Sequence, residues 1–152
     1  MKWFVKFIEA LMKWLEQPPY PMPNNEPIRV VPQPPEPPKY LWDNPTNVRH
    51  SIRLICDEEL LPYPEKNVLC AVIQAESGFN TKAINVNGDG SEDYGLCQYN
   101  SKWYIERMGL ITKDQALNDP EFCVRLLIKR YRQGFLRDWS AYKSGAYKKF
   151  LP

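Results

Sequence analysis

Two carboxylates stand out in AVIQAESGFNTKAINVNGDGSEDYGLCQYNS, residues 71–101. Glu76 ends an apolar run, and Asp93 follows in a polar, turn-rich segment. A helix C-terminus carries partial negative charge, and apolar surroundings disfavour an anion. Both effects raise a carboxyl pKa, and a protonated carboxyl in a cleft is what general acid catalysis requires. Asp93 precedes Tyr94-Gly95 on what reads as a hairpin. If that hairpin crosses the end of the helix, the two carboxylates face each other, one in apolar and one in polar surroundings. Such a split suits glycosidic bond cleavage. The plainer alternatives are a glutamate reaching solvent past Gly78 and an ordinary hairpin aspartate, and spacing alone leaves both open.

Other chemistries fit less well. Asn85, Asn87, Asp89, Gly90 and Asp93 fall at positions 1, 3, 5, 6 and 9 of an EF-hand loop. Position 1 is then Asn, however, and position 12 is Leu96 where a bidentate Glu is needed. The single His50 stands outside any motif, which argues against a His-based triad or a zinc site. No metal or cofactor is expected. A net charge of +2 gives no sign of nucleic-acid binding. The stretch from Arg125 to Lys149 nevertheless holds eight Lys/Arg against one acid, Asp138. It reads either as a basic face for an anionic polymer or surface, or as a solvated helix face. Cys56, Cys70, Cys97 and Cys123 show no metal spacing. An even count permits two disulfides, but each sits in apolar sequence, which favours buried thiols.

The elements that must position these groups occupy one part of the chain. Residues 1–17, MKWFVKFIEALMKWLEQ, form an amphipathic pattern with a broad, Trp-bearing apolar face. The pattern is too short and too interrupted by charge to span a bilayer, and it lacks the features of a secretory signal. Two readings stay open: docking in a membrane interface, or on a protein partner. Residues 18–39 are a linker holding ten of the fifteen prolines. This density favours polyproline II, a spacer of about 3.1 Å per residue. Residues 40–152 are then the globular domain, large enough for its own core. Helices are expected over 47–61, 65–77, 111–117 and 119–132, with Gly78 closing the second, and a last short element over 138–149. AINVNGDGSEDYGLCQY reads as a β-hairpin turning at Asn87–Gly90.

The segment ESGFNTKAINVNGDGSEDYGLCQYNSKWY resembles the active-site region of the lysozyme-like superfamily. The order Glu-Ser, Phe-Asn, Asp-Gly-Ser, Asp-Tyr-Gly, Gln, Asn-Ser is that of the chicken-type lysozymes. ESGFN followed by GLCQ is similar to the SLT-type domain of the soluble lytic transglycosylases. The resemblance is strong over residues 71–104, weaker to 150, and absent from 1–39. It implies an α+β, lysozyme-like fold, mainly α-helical with a small β-hairpin lobe, and a peptidoglycan glycosidase acting between N-acetylmuramic acid and N-acetylglucosamine. Carried over by position, Glu76 would be the general acid and Asp93 the second carboxylate. Ser77 and Gln98 would support the site. Asn85, Asn87 and Asn100 would bond sugar, and Trp103 would stack on it. Trp139 would pack against Glu76, with Tyr142 close by. The eight-cysteine framework of animal lysozymes is absent, which looks like a bacterial or phage member acting in the cell envelope or from a virion. Hydrolysis, lytic transglycosylation with Glu76 alone, and a non-catalytic glycan-binding role in an envelope or virion are the three outcomes the pattern admits.

Overall fold

The structure, a computed structural model, describes residues 38–152. The amphipathic helix expected over 1–17 and nearly all of the linker expected over 18–39 lie outside them. The first helix, α1 (Pro45–Glu58), starts at an Asn44 cap whose side chain accepts from the Asn47 N–H at 2.9 Å. Proline at its first position fits because that N–H would be unsatisfied anyway. Val48, Ser51, Ile52, Ile55 and Cys56 form its buried stripe at helical spacing. The second helix, α2 (Tyr63–Ser77), buries Asn67 and the run from Leu69 to Ile73. It is the spine of the molecule, and Glu76 sits in its last turn. Gly78 ends it at φ +61°, with its N–H donating to the Gln74 carbonyl at 2.9 Å.

The chain then forms an antiparallel sheet of β1 (Ile84–Val86), β2 (Glu92–Tyr94) and β3 (Tyr99–Asn100), in that order. Asn85 opposes Asp93, and Asp93 opposes Asn100. The expected hairpin is present, and the third strand is additional. A seven-residue π-helix, Ser101–Arg107, follows directly. It was not expected, since its wider winding leaves no 3.6-residue pattern.

Two helices close the core. The short α3 (Lys113–Asn118) opens on a capping box between Thr112 and Gln115. Helix α4 (Pro120–Arg132) is capped by Asp119, which accepts from the Phe122 N–H at 2.9 Å. Its Val124, Leu127 and Ile128 join Ile52, Ile55, Leu69, Val72 and Ile73 in one fully buried cluster. The last expected element is three pieces: a 3₁₀ turn at Leu136–Asp138, α5 (Ser140–Ser144), and a 3₁₀ segment at Ala146–Phe150 that lies along α2. The breaks fall at Trp139, which is extended, and at Gly145.

All four cysteines are buried free thiols. Burial pushes Cys56 and Cys123 each up to about 12, so they are protonated side chains of the core. The basic run of the C-terminal part does not form one face. Arg125 pairs with Glu58 at 2.6 Å and Glu59 at 2.9 Å, Arg132 with Glu59 at 2.8 Å, and Arg130 with Asp138 at 3.1 Å. Among the described residues no helix is long and apolar enough to cross a membrane.

One close approach locks the sheet to the helices. Gly95, at φ +71°, lies so near the backbone of α3 that a Cβ there would fall 1.7 Å from the Ala116 carbonyl oxygen. No side-chain motion relieves a backbone clash, and the φ is itself unfavourable for alanine. Gly95→Ala should therefore destabilise the domain by at least about 3 kcal/mol. Urea unfolding checks this, and a loss below about 1 kcal/mol would show that the sheet moves off α3 freely.

Candidate active site

Glu76 emerges from α2 on the side facing α5. A glutamate this close to a helix end has no free N–H of its own helix to accept. Glu76 accepts instead from α5: the Ala141 N–H donates to Oε1 at 2.7 Å, and the Ser140 hydroxyl lies 3.3 and 3.4 Å from the two carboxyl oxygens. Three influences set its protonation. Burial raises the pKa and is the largest, the Ala141 and Ser140 donors lower it, and the charge of Asp93 raises it again. The net effect is upward, which holds the proton nearer neutrality.

Asp93 stands in the middle strand of the sheet and is fixed from both flanks. The Asn87 amide donates to Oδ2 at 2.9 Å and the Asn100 amide to Oδ1 at 2.8 Å. Ser91 accepts from both of the same amides, at 3.1 and 2.9 Å. The Asp89 carboxylate in turn accepts from the Ser91 N–H at 2.9 Å and hydroxyl at 2.7 Å. The turn that resembles a calcium loop thus satisfies its polar groups internally, with Asn87 presenting its amide nitrogen to Asp93.

Glu76 and Asp93 line one cleft of about 480 Å³ between the helices and the sheet. Four carboxylates reach this cleft, and their partners separate them into two kinds. Asp138 is neutralised by buried Arg130 and accepts from the Tyr104 hydroxyl at 2.8 Å. Asp89 has Lys102 at 3.5 Å. Glu76 and Asp93 have only uncharged donors among the described residues. Asp138 and Asp89 have a cationic partner to satisfy them, whereas Glu76 and Asp93 have none among the described residues and stay open to a substrate.

The residues singled out from the sequence distribute as follows. Asn87, Gln98, Asn100, Trp103 and Trp139 line the cleft with Glu76 and Asp93. Gln98 is buried, with φ +53°; its amide donates to the Gly95 carbonyl at 2.7 Å and its oxygen accepts from Asn85 at 2.5 Å. Asn85 is exposed, does not line the cleft, and reaches it only through Gln98. Ser77 donates back to the Ile73 carbonyl at 3.2 Å, within its own helix, and does not line the cleft. Trp103 is 42 % exposed, with Arg107 over one face of its ring at 4.4 Å. Trp139 is only 4 % exposed; its Nε1 donates to the Cys97 carbonyl at 2.7 Å, and its ring packs on Tyr99 and Tyr104. Tyr142 faces a neighbouring groove and stacks on Tyr147 at 5.1 Å. Sequence reasoning missed Ser91, Tyr104, Asp138, Ser140 and the Ala141 N–H. The serine of GDGS and the DWSA stretch were the available signals. A backbone donor has no side chain to announce it.

Comparison with known proteins gives the family and the fold. The model of the C-type lysozyme/alpha-lactalbumin family matches residues 60–150. Lysozyme C-1 of Anas platyrhynchos is 52% identical over 44 residues, 29% of this chain and 29% of that protein. Protein IpgF of Shigella flexneri is 34% identical over 86 residues, 53% of this chain and 55% of that protein. The chain spans between about a quarter and about half of the length of the curated relatives it matches. A lysozyme from Litopenaeus vannamei superposes with a TM-score of 0.54 at 23% identity, covering 64% of this chain and 84% of that one, a likeness of fold.

The raised pKa of Glu76 has a consequence for stability. The folded state binds this proton more tightly than the unfolded chain does. The stability linked to Glu76 is thus fully present below the ordinary carboxyl range and is lost as pH rises through the raised folded value. Glu76→Gln keeps an oxygen for the Ala141 N–H and removes the buried charge. At pH about 7 the variant should resist urea better than the parent, and the gain should vanish near pH about 3. A gain of equal size at both pH values would mean that burial does not perturb this carboxyl.

Proposed function

This chain belongs to the C-type lysozyme/alpha-lactalbumin family, and from that premise we propose that it is a peptidoglycan glycosidase. It cleaves the β-1,4 bond between N-acetylmuramic acid and N-acetylglucosamine. The observation that carries this reading is the pair Glu76 and Asp93, sharing one cleft with only neutral hydrogen-bond partners and with the Glu76 pKa raised by burial. Glu76 gives its proton to the glycosidic oxygen as the bond breaks, and positive charge grows on the anomeric carbon. Asp93, aimed by Asn87 and Asn100, meets that charge by bonding to the carbon or by stabilising the oxocarbenium ion. Glu76, now ionised, takes a proton from the water that completes hydrolysis. The Ala141 and Ser140 donors are already in place to hold this carboxylate. The exposed indole of Trp103 at the cleft suits packing against a sugar ring.

A second reading retains Glu76 alone. Both Asp93 oxygens already accept amide N–H bonds, an arrangement that serves an electrostatic partner as well as a nucleophile. The muramyl 6-hydroxyl would then attack in place of water, leaving 1,6-anhydromuramyl ends, as in a lytic transglycosylase. A non-catalytic glycan-binding role is disfavoured, because binding alone does not call for a proton held on Glu76 beside a second carboxylate.

Glu76→Gln should lower kcat/KM on cell walls by at least about 10³-fold with the fold intact. Asp93→Asn should lower it by about 10²-fold, and retention of most activity would end the two-carboxylate mechanism. Mass spectrometry of the products should show reducing muramyl ends; anhydromuramyl ends would replace the hydrolase reading by the transglycosylase one. The sequence pattern of residues 1–39 supports a tether, an apolar-faced anchor followed by a proline spacer that holds the enzyme at a membrane on the cell-wall side or at a virion. Deleting residues 1–38 should leave catalysis unchanged and abolish binding to anionic vesicles. If the full-length protein ignores such vesicles, the anchor docks on protein instead.

A further inference from the structure

A second concavity, of about 530 Å³, opens on the far side of the segment that supports Glu76. Arg137, Lys143 and Lys148 line it, with the stacked rings of Tyr142 and Tyr147. We propose that this groove binds the carboxylate-bearing stem peptide that branches from the muramyl residue of peptidoglycan. The proposal rests on the peptidoglycan reading above.

Charge is the first argument. Arg125, Arg130 and Arg132 are all paired with carboxylates. Arg137, Lys143 and Lys148 have no ion pair and no side-chain hydrogen bond among the described residues, yet they share one concavity. Cations gathered in a groove without a counter-charge repel one another and raise its affinity for anions. The aromatic pair adds a flat apolar surface beside them, suited to the alkyl portions of a short peptide. The volume lies within the range of about 300–1,000 Å³ of small-ligand sites.

Placement is the second argument. The cleft is lined by carboxylates and by no lysine or arginine, whereas the groove is lined by cations and by no carboxylate. One stretch of chain separates them. Asp138 lines the cleft and its neighbour Arg137 the groove; adjacent Cα atoms are about 3.8 Å apart. Ser140 lines the cleft and Lys143 the groove, about 4.5 Å further along the axis of α5. Peptidoglycan has the matching division. Its sugar backbone is uncharged, and its carboxylates sit on a peptide that leaves the muramyl residue sideways through the lactyl ether. A chain whose sugars lie in the cleft can place that branch over the Arg137–Lys143 segment. Teichoic-acid phosphate would meet the same cations, but its polyol-phosphate chain has no peptide whose alkyl portions the tyrosine pair would accommodate.

The test uses the full-length protein with Arg137→Gln, Lys143→Gln and Lys148→Gln combined. Its substrates are glycan strands with stems and strands stripped of stems, both free of teichoic acid, and walls that retain teichoic acid. On stem-bearing strands KM should rise about tenfold with kcat unchanged, and stripped strands should be cleaved as by the parent. Lys143→Arg with Lys148→Arg should keep the parental KM. Equal loss on both kinds of strand, or loss on neither, overturns the proposal, and so does loss confined to walls with teichoic acid. A titration independent of cleavage adds the free stem tripeptide to the parent protein. Saturable binding that weakens in salt, and about tenfold in the triple variant, is expected. No binding at about millimolar peptide overturns the proposal. A parent protein that binds the peptide and cleaves no wall supports the groove and defeats the glycosidase reading instead.

Discussion

A carboxyl group in the last turn of a buried helix has no unpaired donor in its own helix, and in this protein the missing donor comes from α5. The bond from the Ala141 N–H to Glu76 joins two segments that are far apart in sequence and fixes the first turn of α5 against the end of α2. The extended backbone at Trp139 separates the 3₁₀ turn from α5 and leaves the Ala141 N–H in the first turn of a helix, where it has no acceptor of its own. The indole of Trp139 then turns inward, anchored on the Cys97 carbonyl and packed among Tyr99 and Tyr104. The two bonds together hold this wall of the cleft, on one side to the end of α2 and on the other, through Cys97, to the loop between β2 and β3.

The opposite wall follows a different logic. The sheet is too small to have a core of its own, and its rigidity comes from polar groups bonded to each other. Asn87, Ser91, Asp93 and Asn100 form a closed set in which every amide has an acceptor. Gln98 is held in the left-handed region, a conformation that costs a non-glycine residue about 1–2 kcal/mol. Its side chain recovers this through Gly95 and Asn85. Strain of this kind survives where the surroundings over-determine it, and it commonly accompanies a functional wall. Gly95 transmits the same rigidity to α3 by backbone contact alone.

Much of this was legible in the sequence, for reasons that also mark the limit. The continuous apolar run of α2 and its closing Gly78 are local signals, as is the turn at Asn87–Gly90. Glu76 and Asp93 were recognisable because an apolar run ending on a carboxylate is unusual and because the surrounding motif is long. The third strand was hidden, since two residues carry no alternation to detect. The π-helix was hidden by its winding. The placement of Tyr142 depends on the turn at Gly145, after which Tyr147 comes back onto its ring, and that is a tertiary event. The basic C-terminal run misled as a whole, because whether an arginine is free depends on the carboxylates of a distant helix. Glu58 and Glu59 on the far side of the core neutralise Arg125 and Arg132, and of the pairings of these two arginines only that of Arg125 with Glu121, four residues earlier on α4, has a local signal in the sequence.

The electrostatics of the cleft show how one polar surface supports four carboxylates with different tasks. Bringing four like charges into one concavity is unfavourable unless some are compensated. Arg130 compensates Asp138 from below, where it is buried against Tyr104 and Phe135, and Lys102 compensates Asp89 at the exposed rim. The remaining two are left in mutual repulsion. The charge of Asp93, already bonded by two amides, adds to burial in keeping the proton on Glu76. Had either Arg130 or Lys102 reached these two instead, the repulsion that favours the proton would be lost. The pairings at the edge of the cleft, none of which touches Glu76, therefore leave the charge of Asp93 free to help keep the proton on that residue.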